Sequence, residues 1–344
     1  MYIFVSTKSN KQNLNYMRQK LLLLSSALVL LVAMSASTHT NASEQHGVQP
    51  QHETPTNAIY HWKTVFNPSA EELSFIQKHN IGRLYIRMFD VALADDNLGN
   101  RVPAPIATTL FNAAIPEGVE VIPTTYITLD ALKGMRDNEA YYAELIIDRL
   151  VAMASYNECG TIDEVQFDCD WTPSTTDIYY TVCDHAEAYL GEMGIDLSIT
   201  VRLHQIDDGY APKADRGVLM LYNTGAVKDI RTNNSILDIA DIKPYLRSAE
   251  YPLPLDFAYP TFSWGVKFKN GVFQGLVSDP TTATLAEGET MREESVSAEE
   301  ILTAKEWVES ALGQPYQCNI IYHLEENELK NYNDNEISKI YSRN

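Results

Sequence analysis

The sequence predicts an α/β fold, a TIM (β/α)8 barrel with an insertion after its seventh strand. Eight short β-rich runs follow one another from Ile59 onward, and most are separated by segments with apolar residues at helical spacing. Residues 59–344 also suit the roughly 250-residue size of such barrels once insertions are allowed. Runs apolar on both faces are buried most simply as parallel strands under a layer of helices. The predicted strands are 59–66, 83–89, 119–127, 164–171, 197–203, 218–223, 255–261 and 319–323. Helices are predicted at 69–79 after Pro68, at 138–155, at 176–193 after Pro173-Ser174-Thr175, at 236–246 and at 298–312. The fifth connection, 205–217, is too short and turn-rich to carry much helix. An open doubly wound sheet is the alternative, but no GxGxxG follows the first strand and no GxxxxGK[ST] occurs. The insertion, 265–296, holds an Asn270-Gly271 hairpin signal and is placed to cover the top of the barrel.

Charge narrows the partners. Four of the 26 basic residues (Lys8, Lys11, Arg18, Lys20) and no acid lie in the first 42 positions, which leaves 22 basic against 46 acidic residues. So acidic a surface repels phosphate backbones and anionic lipids, which argues against nucleic-acid and membrane-surface roles and leaves neutral or cationic partners. Residues 1–42 read as a cleaved export signal, because Arg18 and Lys20 precede the apolar run 21–33 and Ser35-Ala36-Ser37 follows. The run is too short to span a bilayer, and Met17 is an alternative start. No cysteine stands near the cleavage point, so a lipid anchor is not expected. Residues 43–58 form a polar, flexible leader, and 59–344 a single barrel domain, secreted or periplasmic. Cys159, Cys169, Cys183 and Cys318 match no metal or redox spacing. Export permits disulfides, and Cys159 with Cys183 is the pairing to test.

Chemistry in a TIM barrel sits at the carboxyl ends of the strands, and here those ends are rich in polar and aromatic residues. Strand two ends in Arg87 and Asp90. Strand four presents Gln166, Asp168, Asp170 and Thr172 at alternate positions, and strand five runs into Arg202, His204 and Gln205. Strand six supplies Tyr222 and Asn223, strand seven Tyr259 and then Trp264, and strand eight His323 and Glu325. Period-two alternation aims Asp168 and Asp170 at one face and Cys169 at the other. Two carboxylates about 7 Å apart along a strand raise one another's proton affinity, the condition for dividing acid and base roles. Trp62, Trp171, Tyr259 and Trp264 are candidate stacking surfaces for sugar rings.

The segment Val165-Gln166-Phe167-Asp168-Cys169-Asp170-Trp171-Thr172 resembles the DxxDxDxE strand of chitinase-type family 18 glycoside hydrolases, and Met220-Leu221-Tyr222-Asn223 resembles their MxYD strand. The resemblance covers about sixteen positions and implies that Asp170 positions a substrate N-acetyl group and that Tyr222 supports it. It also implies a missing proton donor, because Thr172 stands where the family has its acidic Glu. Val165 and Asn223 likewise replace Asp residues of the two motifs. The chain as a whole resembles uncharacterised secreted barrel proteins of bacteria, a likeness that bears on architecture and export alone.

If the chain hydrolyses glycans, another acid must donate the proton, and Asp90 and Glu325 are the strand-end candidates. The competing readings are an ion-paired or capping Asp90 and a Glu325 that opens a solvated helix start, Glu325-Glu326-Asn327-Glu328. Arg87, Gln166, Arg202, His204, Asn223 and His323 are taken as substrate-binding residues. No HExxH or HxH pair fixes ligands on one element, so neither a metal nor another cofactor is expected. The reading is a carbohydrate-active barrel with a glycan or other neutral small molecule as its substrate. The rival is a lectin-like barrel that has lost its acid and only binds glycan.

Overall fold

The computed structural model describes residues 57–206, 209–246 and 251–343. The predicted export signal, and the leader up to residue 56, lie outside them.

Eight strands close into a ring: β1 (Asn57–His61), β2 (Ile81–Asp95), β3 (Glu120–Ile127), β4 (Glu164–Asp168), β5 (Asp196–Arg202), β6 (Arg216–Met220), β7 (Leu255–Pro260) and β8 (Asn319–Tyr322). Every neighbouring pair in the ring is parallel. Closure is direct, since Ala58 of β1 pairs with Ile320 on one side and Arg83 on the other. The eight predicted strands therefore stand in the predicted order, with ends shifted by a few residues.

Helices fill most connections: α1 (Ala70–Lys78), α2 (Leu129–Gly134), α3 (Glu139–Tyr156), α4 (Thr176–Gly191), α5 (Leu203–Ile206), α6 (Ile239–Leu246) and α7 (Ala298–Leu312), with α8 (Glu326–Leu329) and α9 (Asp334–Tyr341) after the last strand. Capping boxes start α1 and α7. Ser69 and Ser297 accept from the backbone N–H groups of Glu72 and Glu300, whose carboxylates accept in return. The short fifth connection holds the single turn α5, as its composition requires.

The second connection differs from the prediction. β2 does not stop near Phe89 but runs to Asp95, turns, and returns antiparallel as Arg101–Ile106. Val91 to Ala94 keep the chain extended, and Asp96 closes the turn by accepting from the N–H groups of Leu98 and Asn100, both at 2.8 Å. Pro103 and Pro105 suit the returning strand because it lies at a sheet edge, where a missing N–H costs no ladder bond.

The insertion after β7 is a three-stranded antiparallel sheet in which Trp264–Lys269 lies between Val272–Val277 and Glu289–Glu294. Asn270 and Gly271, at φ of 50° and 80°, make its two-residue turn, the left-handed conformation this pair favours.

The barrel interior is polar in layers. Its floor holds a buried charge network: Glu164 pairs with Arg216, Arg83 pairs with Glu120 at 2.6 Å, and Asp256 accepts from the N–H groups of Gln317 and Cys318. Above it Tyr60 donates to Gln166 at 2.7 Å, and Gln166 donates to Ser198 at 3.2 Å. The apolar core lies between strands and helices, where the alternate strand residues Phe167, Cys169, Ile199 and Val201 are buried. All four cysteines are free and buried, so the suggested Cys159–Cys183 disulfide is not formed.

Candidate active site

The carboxyl ends of the strands open into a cleft of about 940 Å³. The pleat of β4 aims Asp168 and Asp170 into it. Asp168 is only 4% exposed and accepts from the Thr200 hydroxyl of β5 at 2.6 Å. Asp170, just past the strand, is better exposed and pairs with Arg202. Burial, reinforced by the carboxylates of Asp170 and Asp90 and opposed by Arg202 and Thr200, raises the pKa of Asp168 to about 6. Burial opposes the charge of Arg202, but Asp168 and Asp170 more than offset it and hold the guanidinium protonated. Below about pH 6 the Asp168 carboxyl is thus neutral.

Arg202 also lies 5.6 Å over the ring of Tyr222, which stacks on Tyr322 at 4.7 Å. The Tyr222 hydroxyl donates to the Met220 sulfur at 2.8 Å, and burial pushes its pKa well up, so it stays protonated. Asn223 follows at φ 56°, where the chain leaves β6. Trp62 and Trp264 form further aromatic walls. The Trp264 indole donates to Glu294 at 2.8 Å, which anchors it to the inserted sheet. That sheet lines the cleft through Leu276 and the segment from Ser278 to Thr281, as its position suggested.

His323 and Glu325 also reach the cleft. Burial lowers the pKa of His323 to about 4, so the imidazole is neutral. Glu325 caps α8 and pairs with Lys63 at 2.9 Å, the helix-start reading rather than the free acid.

Six predicted site residues do not line the cleft. Asp90 is buried in a bidentate pair with Arg87, whose guanidinium also stacks 5.7 Å from Trp62; the extension of β2 leaves no strand exit there. Gln166 is fully buried one layer down, its amide engaged by Tyr60 and Ser198. Trp171 is 2% exposed and packs on Tyr179 and Tyr180 of α4, because the alternation that turns Asp168 and Asp170 inward turns it outward. Tyr259 is on the outward face of β7 for the same reason and is fully buried. His204 is exposed on α5, while its neighbour Gln205 folds back to accept from Arg202 N and donate to the Trp171 carbonyl.

Tyr126, Tyr322, Phe262, Ser263 and Glu328 complete the site, and sequence reasoning missed them. Alternation would have found Tyr126 at the exit of β3 and Tyr322 at that of β8. Glu328 gave no signal, since its partner Ser263 is far away in the chain.

No family model and no curated protein sequence matches the chain. Its fold is nonetheless shared. The spore cortex-lytic enzyme SleL of Bacillus cereus superposes with a TM-score of 0.53 at 14% identity, over 85% of this chain and 76% of that one. SleL of Bacillus megaterium gives 0.52 at 12%, over 83% and 76%. A chitinase of Chromobacterium violaceum gives 0.52 at 10%, over 83% of this chain and 98% of its own. At these identities the likeness is one of fold, and it agrees with the resemblance read from strands four and six.

The Asp168 environment has a measurable consequence. Its folded pKa of about 6 exceeds the unfolded value of about 3.9. A carboxyl shifted upward contributes stability that is fully present below the unfolded pKa and is lost as pH rises through the folded one. The total is about 3 kcal/mol. Asp168→Asn keeps an acceptor for Thr200 and removes the titration. Urea unfolding should show the wild type losing ground to the variant between about pH 4 and 6.5, then running parallel to it. Parallel curves throughout would mean that Asp168 is not buried as described.

Proposed function

We propose that the chain is an exported glycoside hydrolase that works at the carboxyl-end mouth of its barrel. The observation that carries this reading is a pair of unlike carboxyls, Asp168 and Asp170, aimed from one strand into an open cleft with aromatic walls. Such walls suit sugar rings, whose apolar faces stack while their hydroxyls seek fixed polar groups. In the mechanism, Asp170, fixed by Arg202, holds the group that attacks or assists at the anomeric carbon. Asp168 modulates its charge from below. Tyr222, by turning its hydroxyl from the Met220 sulfur to the substrate, and Arg202, whose Nη1 is buried without a partner among the described residues, bind substrate oxygens. Asn223, Trp62, Trp264 and His323 complete the binding surface. Export rests on the basic residues and apolar run of the first 42 positions, with a secreted or periplasmic destination.

The neighbours' names, a spore cortex-lytic enzyme and a chitinase, place cortex material and chitin oligosaccharides first on a substrate panel. New reducing ends should appear with at least one glycan. A second reading, binding without turnover, is favoured by Thr172, whose hydroxyl lies 3.0 Å from that of Ser174 within a local turn, where the family resemblance calls for the acid. Tight binding of a glycan with no cleavage across the panel would select it. In either case Trp62→Ala should weaken oligosaccharide binding by about tenfold, the loss of roughly 1.4 kcal/mol of stacking. Unchanged affinity by calorimetry would remove Trp62 from the site.

A further inference from the structure

Among the described residues five carboxyls line the cleft, and four of them are set differently from the fifth. Asp170 is paired with Arg202, and Glu325 with Lys63. Asp279 is turned onto its own loop, accepting from the Thr281 N–H at 3.1 Å and hydroxyl at 2.6 Å. Asp168 lies in the floor under the Thr200 hydroxyl. Glu328 differs from Asp170 and Glu325 in being held by a hydroxyl and not by a cation, from Asp168 in standing clear of the buried floor, and from Asp279 in being held by a residue of another segment. It is half-buried, and both its oxygens lie near the Ser263 hydroxyl, at 2.8 and 3.1 Å, so it is fixed by a neutral group. Burial raises its pKa above the ordinary glutamate value, against the lowering effect of Ser263. Its helix follows β8, which stands four places from β4 in either direction around the ring. Glu328 and Asp170 therefore come from opposite sides of the barrel.

From this geometry we infer that Glu328, anchored by Ser263, is the proton donor to the glycosidic oxygen, in place of the acid that Thr172 cannot supply. The inference rests on the glycosidase reading above. The Glu328 carboxyl proton passes to the bridging oxygen as the anomeric C–O bond breaks. The bond's electron pair stays with that oxygen, so the leaving sugar departs as a neutral alcohol. Water adds to the anomeric carbon, and the proton it releases restores Glu328, so each turnover consumes one water and no net proton. General acid assistance of this kind contributes about 10²–10⁴-fold, and most when the leaving group is a poor one.

The test compares wild type with Glu328→Gln on two substrates, a natural oligosaccharide and its 2,4-dinitrophenyl glycoside, whose leaving group needs no proton. Expected are a loss of about 10²-fold or more on the oligosaccharide and a loss below tenfold on the aryl glycoside, with oligosaccharide affinity retained. Retained affinity also reports that the variant is folded. Equal losses on both substrates, or none on either, would overturn the assignment while leaving the glycosidase reading standing. A wild type that cleaves neither would overturn that reading, and the donor role with it.

Discussion

Asp170→Asn should lower glycan turnover by about 10²–10⁴-fold while changing affinity little. The amide is isosteric and still accepts from Arg202 Nε through its oxygen, so the side chain keeps its place. What it loses is the negative charge beside the reacting carbon, where charge develops in the transition state. It also loses the ability to take a proton. Arg202 then faces the substrate without a counter-charge from Asp170. The measurement is kcat/KM on the best substrate of the panel, with affinity from calorimetry. A variant within tenfold of wild type would take Asp170 out of the chemistry.

Arg216→Met should cost about 3–5 kcal/mol of stability. Glu164 is 1% exposed and Arg216 4% exposed, and they pair in the floor of the barrel. Removing the cation leaves a buried carboxylate whose next charged neighbour, Arg83, is 3.9 Å away and already engaged with Glu120. The penalty is that of an uncompensated charge, not the worth of the pair. Replacing both partners with apolar residues of similar volume, Glu164→Leu with Arg216→Met, should therefore recover most of the loss. Urea denaturation of the two variants measures this. A double variant as unstable as the single one would show that Arg216 acts through packing rather than charge.

The ring was legible in the sequence because its strands are buried on both faces, and eight apolar runs in order leave few ways to bury them. Asp168 and Asp170 were legible for a related reason, since period two fixes which residues share a face. Trp171 and Tyr259 were assigned to the mouth because they are aromatic and near strand ends, although the same alternation turns both toward the helices. For Asp90 the sequence offered both a strand-exit acid and an ion-paired residue, and only the continuation of β2 into a hairpin decides for the ion pair. Glu328 was hidden by its setting in a run of polar residues, because burial of a glutamate there depends on Ser263 and the walls of a cleft built by distant segments.

A crystal structure of the Asp170→Asn protein with a bound chitin or cortex-derived oligosaccharide is the sharpest trial of the proposed site. A sugar ring should lie in the cleft with its anomeric carbon beside residue 170 and the scissile oxygen within hydrogen-bond reach of Glu328. A glycan that binds in solution yet sits outside the mouth in the crystal would show that these carboxyls are part of the scaffold, and that recognition occurs on another face.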